Sequence, residues 1–230
     1  AKSEFFLNYQ PSISLESGRL TGFESLIRWN HPERGLISPA EFIPMSEDNG
    51  LINPIGRWVL HESCRQLREW HKTYPSVQPV TMNVNISGRQ FSQPDLIDTI
   101  SRTLKDTGLD AQYLKLEITE SVLMENAESA AEMLAELKAL GSQLAIDDFG
   151  TGYSSFSHLH KFPIDTLKID RAFVSRMDTS SESAEIVKTI LMLGHNLRMQ
   201  VVAEGVETSS QVKHLRSLGC DYGQGFYLGM

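Results

Sequence analysis

The strongest constraint on the fold of this chain is the alternation of short β-rich runs with longer amphipathic stretches. One helix is predicted to start near Pro39, and further helical patterns fit residues 53–70, 95–107, 128–140, 183–197 and 208–218. Eight runs have the composition of strands: residues 4–10, 21–28, 79–86, 113–118, 143–148, 165–169, 199–204 and 221–226. Such alternation is typical of α/β folds, and eight strands predict a closed (β/α)8 barrel of the TIM type.

The connection between the first two predicted strands breaks this regular pattern. Residues 11–20 are too few and too rich in turn-forming residues to contain a crossover helix, which parallel neighbours require. We therefore expect the first strand to run antiparallel to the second, in a modified form of the barrel.

Length and composition are consistent with one domain over residues 1–230, since 40% hydrophobic residues suffice for a sizeable core. No segment approaches the roughly 18 apolar residues of a membrane span, and the amino end lacks a signal-peptide pattern. Because the chain starts without Met, we expect it to be a domain excised from a longer multidomain protein. The expected location is cytoplasmic, with any membrane anchor outside this fragment.

The net charge of −8 argues against a nucleic-acid polymer as partner, because such binding depends on basic residues that neutralise phosphates. Cys64 and Cys220 are far apart and lack metal-ligand spacing, so reduced packing residues are expected. His158 and His160 have no paired cysteines or facing histidines nearby, and zinc binding is not expected.

Acidic and amide residues recur at the ends of the predicted strands. Asp147 and Asp148 follow the apolar run Leu144–Ile146 and precede a glycine-rich turn. Two adjacent carboxylates at a buried strand end require a compensating cation, an arginine or protonation. Four further residues occupy comparable positions: Glu24, Asn85, Glu117 and Glu204. Strands of a barrel present such groups at one mouth, and oxygen ligands of this kind suit Mg²⁺ or Mn²⁺.

Several of these residues have alternative interpretations. Lys168 alternates with apolar neighbours, so it either points into the barrel among the acids or protects an edge strand. Arg28 either binds a phosphate or forms a surface ion pair, and of Asn83 and Asn85 only one is expected to bind metal. Glu207 could serve only as the acidic residue that opens the following helix.

Taken together, these segments resemble the successive motifs of the EAL-domain family, in the family's order and spacing. The resemblance covers about residue 6 to the C-terminus and is carried by Phe23–Trp29, Asn85–Ser87, Glu117–Glu120, Asp147–Gly152, Leu167–Asp170, Ala203–Glu207 and Gln224–Phe226. It implies a β/α barrel with an antiparallel first strand and hydrolysis of cyclic di-GMP to linear pGpG.

The resemblance also implies roles for particular residues. Glu24, Asn85, Glu117 and Asp147 would hold one Mg²⁺ or Mn²⁺ ion, while Asp147, Asp148 and Glu204 would hold or orient a second. Lys168 would position the water nucleophile, and Glu204 is the family's proposed general base. Substrate contacts would come from Gln10, Leu26, Arg28 and Gln224.

Glu120 would brace the loop over residues 149–156, which in the family couples metal binding to formation of a homodimer. Two features depart from the family pattern. Ser25 replaces an alanine, and the chain stops soon after the last strand, which leaves barrel closure in question.

Two other functions remain open at this stage. One is a cyclic di-GMP receptor with weak catalysis, and the other is a metal-dependent barrel lyase or aldolase that uses Lys168 as a Schiff base.

Overall fold

A computed structural model describes residues 4–75, 78–152 and 159–229. Nine strands occur in these residues, and they are numbered here in chain order. They are β1 (Phe5–Ser14), β2 (Leu20–His31), β3 (Gly35–Ile37), β4 (Thr81–Asn85), β5 (Leu114–Thr119), β6 (Gln143–Phe149), β7 (Thr166–Ile169), β8 (Gln200–Ala203) and β9 (Tyr222–Gly223).

Eight of these strands close into a barrel. The order around the ring is β1, β9, β8, β7, β6, β5, β4 and β2, and β2 pairs with β1 to complete it. β1 is antiparallel to both of its neighbours, whereas the pairs from β2–β4 round to β8–β9 are parallel. The predicted modified barrel with an antiparallel first strand is therefore confirmed.

Helices in the described residues lie around the barrel. They are α1 (Pro39–Asp48), α2 (Ile52–Thr73), α3 (Gly88–Phe91), α4 (Leu96–Thr107), α5 (Glu120–Glu125), α6 (Ala127–Ala139), α7 (Arg171–Val174), α8 (Ser181–Asn196) and α9 (Ser209–Ser217). None of the helices in this part of the chain combines the length and apolar composition needed to cross a bilayer.

The side-chain alternation of β5 shows how the sequence separates the core from the interior of the barrel. Leu114, Leu116 and Ile118 are fully buried within the main hydrophobic core. Lys115 and Glu117 occupy the intervening positions and are also buried, and Lys115 donates a hydrogen bond to Thr166 on β7 (2.9 Å). Because successive strand residues face opposite sides, polar groups line the inside while leucine and isoleucine form the core.

Two details differ from the sequence-based prediction. The short strand β3 was not predicted; it pairs antiparallel with β2 outside the ring. Glu120 was expected in a loop, but it is the first residue of α5. Three residues form too short a run for a strand pattern to be visible, and a helix of six residues lacks a full hydrophobic period.

The ring is closed by pairing of the first strand with the last. Ile13 and Ser14 of β1 pair with Gly223 and Tyr222 of β9, and the Leu15 amide donates to the Asp221 carbonyl (2.9 Å). The doubt about closure that arose from the sequence is therefore resolved in favour of a complete ring.

Candidate active site

A single lysine ammonium lies at the centre of the polar cluster in the barrel. Lys168 on β7 is 1% exposed, and its Nζ lies within ion-pair distance of four carboxylates. The distances are 2.7 Å to Glu204, 2.9 Å to Glu117, 3.1 Å to Asp147 and 3.3 Å to Glu24. Of the two orientations considered for Lys168, the structure has the inward one, and the alternative of an edge-strand lysine is wrong.

The four carboxylates come from four different segments of the chain. Glu24 lies on β2, Glu117 on β5 and Asp147 on β6, and Glu204 directly follows β8. The carboxyl ends of parallel strands meet at one mouth of a barrel, so residues distant in sequence converge there. The structure thus brings together the acids that the sequence pattern placed at strand ends.

Two asparagines on β4 hold two of these carboxylates in place. Asn83 donates from Nδ2 to Oε1 of Glu117 (2.8 Å), and Asn85 donates from Nδ2 to Oε1 of Glu24 (2.7 Å). The two amides share one face of β4, and Asn83 is buried whereas Asn85 is exposed. Asn83 therefore positions Glu117, and Asn85 is the one of the pair that is open to a ligand.

Adjacent Asp147 and Asp148 both contribute to the mouth because β6 is irregular at this point. The pairing register between β6 and β7 shifts between Ile146 and Phe149, and Asp148 has a positive φ of 53°. A regular strand would point the two side chains to opposite faces. Carboxylate oxygens of Asp147, Asp148 and Glu204 instead all lie within 4.8 Å of one another.

The charges in this cluster are unbalanced, because one ammonium faces several carboxylates. Burial raises the pKa of Glu117 well above its usual range, and the Glu24 carboxylate adds to the rise. Burial likewise raises the pKa of Glu204 to about 8, against the opposing effect of Lys168. For Lys168, burial alone would lower the pKa, but Asp147 and the other carboxylates outweigh it and raise the pKa above the ordinary value.

Asp148 lies further out and is exposed to solvent. Partial desolvation raises its pKa to about 6, and the neighbouring Asp147 and Asp170 add to this effect. Asp170 is the N-cap of α7 and accepts a hydrogen bond from the Ala172 amide (2.8 Å). The sequence pattern gave no signal that Asp170 would approach Asp148.

Gln224, just beyond β9, connects the acidic cluster to the first strand. Its Nε2 donates to Oε2 of Glu24 (2.7 Å) and to Oε1 of Gln10 (3.0 Å). Its Oε1 is buried and has no hydrogen-bond partner among the described residues. Gln10 and Gln224 thus lie beside the acidic cluster.

Two cavities open beside the acidic cluster. The first has a volume of about 400 Å³ and the second about 440 Å³. Leu26 and Arg28 line both of them, while Glu24 and Glu204 border the first and Asp147 and Asp148 border the second. The surface ion pair considered for Arg28 is not observed with any described carboxylate, and Arg28 instead donates to the Ile27 carbonyl (2.9 Å).

Glu120 lies at the entrance of the loop that follows β6. Its Oε2 accepts a hydrogen bond from the Gly150 amide (2.9 Å), and the Cα of Gly152 packs so closely that an added Cβ would lie 3.1 Å from Oε1. This contact agrees with a bracing role at the start of the loop. Residues 153–158, including the remainder of that loop and His158, lie outside the described residues.

Arg171, Glu207 and Phe226 line the first cavity but were not predicted as site residues. Each of the three residues lies two or three positions after a predicted site residue. Proximity to the motifs could therefore have identified them as candidates. Their side-chain directions depend on turns that the sequence alone does not specify.

The fold agrees with comparisons to known proteins. A family model described as the EAL domain matches residues 1–230, and the chain belongs to the EAL domain family. It is 45% identical over 229 residues to the uncharacterised protein y4lL of Sinorhizobium fredii, covering 100% of this chain and 27% of that protein.

The chain is also 42% identical over 232 residues to MucR of Pseudomonas aeruginosa, named as a bifunctional diguanylate cyclase/cyclic di-GMP phosphodiesterase. This match covers 99% of the chain and 33% of MucR, so the chain spans a third or less of both curated relatives. The solved structure of the PaMucR phosphodiesterase in complex with c-di-GMP has a TM-score of 0.96 at 42% identity, covering 100% of this chain and 92% of that one.

Proposed function

We propose that this domain is a phosphodiesterase that hydrolyses cyclic di-GMP to linear pGpG with two divalent cations. The observation that supports this most directly is the carboxylate cluster around Lys168, which lies between two cavities at the mouth of the barrel. The name of MucR and the ligand in the PaMucR complex support the same substrate.

The donor set fits two divalent cations in both chemistry and charge. Glu24, Glu117, Asp147, Asp148 and Glu204 together with Lys168 carry a net charge of −4 when all are ionised. Two dications would neutralise this charge, and carboxylate and amide oxygens are the ligands that Mg²⁺ and Mn²⁺ prefer. Binding of a cation would favour the ionised forms of Glu117 and Glu204, whose pKa values are raised by burial.

Each cation would have its own set of ligands. Asp147, Asp148 and Glu204 would hold one ion, consistent with the 4.8 Å span of their oxygens. Glu24, Asn85, Glu117 and Asp147 would hold the other, with the Asn85 amide turned so that its oxygen rather than Nδ2 faces the cluster. Asp147 would then belong to both sets of ligands.

Bound cations would supply a water nucleophile near neutral pH and stabilise charge on the attacking and leaving oxygens of an in-line displacement at phosphorus. Lys168, held by four carboxylates, would orient the water and offset negative charge as it develops. Glu204 is the candidate proton acceptor, although its role as a cation ligand would reduce its basicity.

The remaining predicted residues would contact the substrate. Arg28 offers a guanidinium to a phosphate at the border of both cavities, and Leu26 provides apolar surface beside it. Gln10 and Gln224 would orient the substrate from the β1 side, where the free Oε1 of Gln224 can accept a hydrogen bond. The positions of these residues along the cavities support the proposed roles.

We further propose that residues 1–230 form one domain of a longer cytoplasmic signalling protein with tethered sensory or regulatory domains. The share of MucR and y4lL that the chain covers supports this. A homodimer is the proposed assembly, in which Glu120 would connect the metal site to the loop after β6.

Chromatography of the products tests the proposed reaction. Purified protein with Mn²⁺ or Mg²⁺ should convert cyclic di-GMP to pGpG, and EDTA should abolish the conversion. Glu24→Ala and Asp147→Asn should lose activity, whereas Glu204→Gln should keep part of its substrate binding. Glu128→Gln, on the exposed face of α6, is the matched control and should remain active.

Two outcomes would favour the alternatives. Binding of cyclic di-GMP without any pGpG in excess Mn²⁺ would favour a receptor. Borohydride trapping of a substrate on Lys168 would favour an aldolase. The ion pairs of Lys168 argue against the second, because an ammonium held by four carboxylates is not a free amine nucleophile.

A further inference from the structure

One buried lysine inside the barrel has no part in the proposed reaction. Lys115 on β5 is 6% exposed, and its Nζ donates a hydrogen bond to Oγ1 of Thr166 on β7 (2.9 Å). No carboxylate among the described residues lies within ion-pair distance of Lys115. An ammonium buried in this way is costly, and an apolar side chain of similar length would contribute more to packing. The lysine therefore indicates a role other than filling the core.

The hydrogen bond of Lys115 connects two strands that are not neighbours in the ring. β6 lies between β5 and β7, and its Ala145 pairs with Glu117 on one side and with Thr166 on the other. Ala145 lies two residues before Asp147 and therefore faces the same side of β6. The two outer strands are roughly 10 Å apart, twice the spacing of neighbouring strands. Alanine takes little space at this position, so a long side chain can span from β5 to β7.

A second hydrogen bond joins the same two strands nearer the mouth of the barrel. Lys168 on β7 donates to Oε2 of Glu117 on β5 (2.9 Å). Lys115 precedes Glu117 by two residues, and Thr166 precedes Lys168 by two residues. Residues two apart on a strand face the same side, so the four side chains lie in two successive layers of the interior. β5 and β7 are thus connected by two lysine hydrogen bonds that run in opposite directions.

The place of the Lys168 ammonium depends on where β7 lies relative to β5. The Nζ atom lies between 2.7 Å and 3.3 Å from four carboxylates. β7 has only four residues, Thr166–Ile169, so a displacement of Thr166 would move Lys168 as well. A shift of about 1 Å would lengthen some of these contacts beyond hydrogen-bond distance. The bond from Lys115 to Thr166 opposes such a shift.

We propose that Lys115 is a positioning residue that acts through Thr166 to fix the Lys168 ammonium at the acidic centre. Lys115 lies outside the linings of both cavities, so this role requires no contact with the substrate. Its kinetic consequence rests on the proposed function, whereas the position of Lys168 can be measured without catalysis.

Kinetics of a set of variants test this role. Lys115→Met and Thr166→Val should each lower kcat for cyclic di-GMP about tenfold or more, because Lys168 is displaced, while KM changes less than about threefold. Thr166→Ser keeps the hydroxyl group and should retain kcat within about twofold. The double variant Lys115→Met/Thr166→Val should be no slower than the slower single variant, since both changes remove the same bond.

Thr166→Val separates the hydrogen bond from the charge of Lys115, because the lysine remains in that variant. Thr103, a buried threonine of α4, provides the matched control, and Thr103→Val should leave kcat unchanged. An unaltered kcat in Thr166→Val, or an equal loss in Thr166→Ser, would overturn the proposal. The Thr166 variants decide the question even if Lys115→Met does not fold.

NMR of the side-chain ammonium groups, with isotopically labelled lysine and in EDTA, reports on Lys168 without any reaction. Its signal is assigned by its absence from Lys168→Arg. In Lys115→Met and Thr166→Val the Lys168 signal should shift and its protons should exchange faster with solvent, whereas Thr166→Ser should match the unmodified protein. This result supports the role of Lys115 even if no pGpG forms. A Lys168 signal that is unchanged in both variants overturns it.

Discussion

At the scale of single residues, Lys168 compensates the negative charge of the acidic centre. Its ammonium contacts Glu24, Glu117, Asp147 and Glu204, and these carboxylates have few other charge partners. A buried carboxylate that loses its cationic partner is strongly destabilising, because its charge is then neither solvated nor paired. Lys168 thus has a structural role besides the proposed catalytic one.

Replacing Lys168 by Met should therefore affect both folding and activity. In EDTA the free energy of unfolding should fall by about 3–5 kcal/mol, measured by urea denaturation, because one partner of several buried ion pairs is removed. Mn²⁺ should restore part of this loss, since a dication compensates the same carboxylates, but hydrolysis should remain below detection.

The matched control is Lys188→Met on α8, whose ion pair with Glu185 is exposed and 3.5 Å long. It should change the free energy of unfolding by less than about 1 kcal/mol. Equal stabilities of the two variants in EDTA would contradict the role assigned to Lys168.

Ser25 replaces the alanine of the family's motif, and its hydroxyl group makes a hydrogen bond. Its Oγ donates to the carbonyl of Asn83 on the neighbouring strand (3.1 Å) in a buried position. Ser25→Ala should cost about 1 kcal/mol of stability and leave kcat within about twofold, because the lost hydrogen bond is not to a site side chain. A tenfold fall in kcat would show that Ser25 contributes to the site itself.

The sequence predicted which acids meet, but not how each is oriented. Convergence of Glu24, Glu117, Asp147 and Glu204 on Lys168 follows from strand ends sharing one mouth. The contact between Asp148 and Asp170 does not follow, because it depends on the positive φ of Asp148. The hydrogen bond from Asn83 to Glu117 was missed because strand alternation places Asn83 and Asn85 on one face without showing which carboxylate each amide reaches.

At the scale of elements, the turn after β9 holds the mouth of the barrel in shape. The Gln224 amide donates to the Ala203 carbonyl (2.9 Å), and the Val206 amide donates to the Gln224 carbonyl (3.0 Å). Gly225 follows with a positive φ, and its Cα lies so close to Val206 that no side chain fits between them. The side chain of Gln224 depends on this packing.

Gly225→Ala should disrupt that turn. The new Cβ would lie 2.3 Å from the backbone nitrogen of Val206 and 2.4 Å from its carbonyl oxygen, so the backbone must move. We expect a loss of more than about 2 kcal/mol in thermal or urea unfolding, together with reduced activity because Gln224 would shift away from Glu24.

Gly18→Ala provides the comparison, since Gly18 also has a positive φ but no atom lies within 4 Å of an added Cβ. Only the conformational cost of about 1 kcal/mol should appear there. Similar losses in the two variants would mean that close packing at Gly225 is unimportant.

Elements with a complete hydrophobic period were predictable, and short ones were not. All eight ring strands and the long helices α2, α4, α6, α8 and α9 correspond to the predicted runs. Gly108, Gly141 and Gly219 end three helical segments with positive φ values of 67°, 93° and 79°. The helices α3, α5 and α7 were missed because four to six residues carry no clear periodicity.

At the scale of the whole molecule, stability without metal should depend on pH through the acidic centre. Glu204 has a pKa of about 8 in the folded protein against an ordinary value of 4.5. Between these values the folded state binds a proton that the unfolded state does not, so stability falls as pH rises from about 5 to about 8. The fall due to Glu204 is of the order of a few kcal/mol.

Urea denaturation in EDTA at several pH values measures this effect. Glu204→Gln should flatten the dependence, because glutamine carries no titrating proton, and saturating Mn²⁺ should remove it by binding the ionised form. A variant whose pH profile matches that of the unmodified protein would contradict the raised pKa of Glu204.

The antiparallel first strand forms fewer residue pairs with β9 than with β2, and this difference affects the local dynamics of the barrel. β1 pairs with β2 through nine residue pairs but with β9 through only two. β9 also pairs with β8 through only two residue pairs. Local opening of the ring is therefore least costly around β9, and amide hydrogens there should exchange with solvent sooner than those of β5. Gln224 donates hydrogen bonds to both Gln10 and Glu24 close to the β1–β9 pairing. Local opening of this pairing would therefore weaken the hydrogen bond from Gln224 to Glu24.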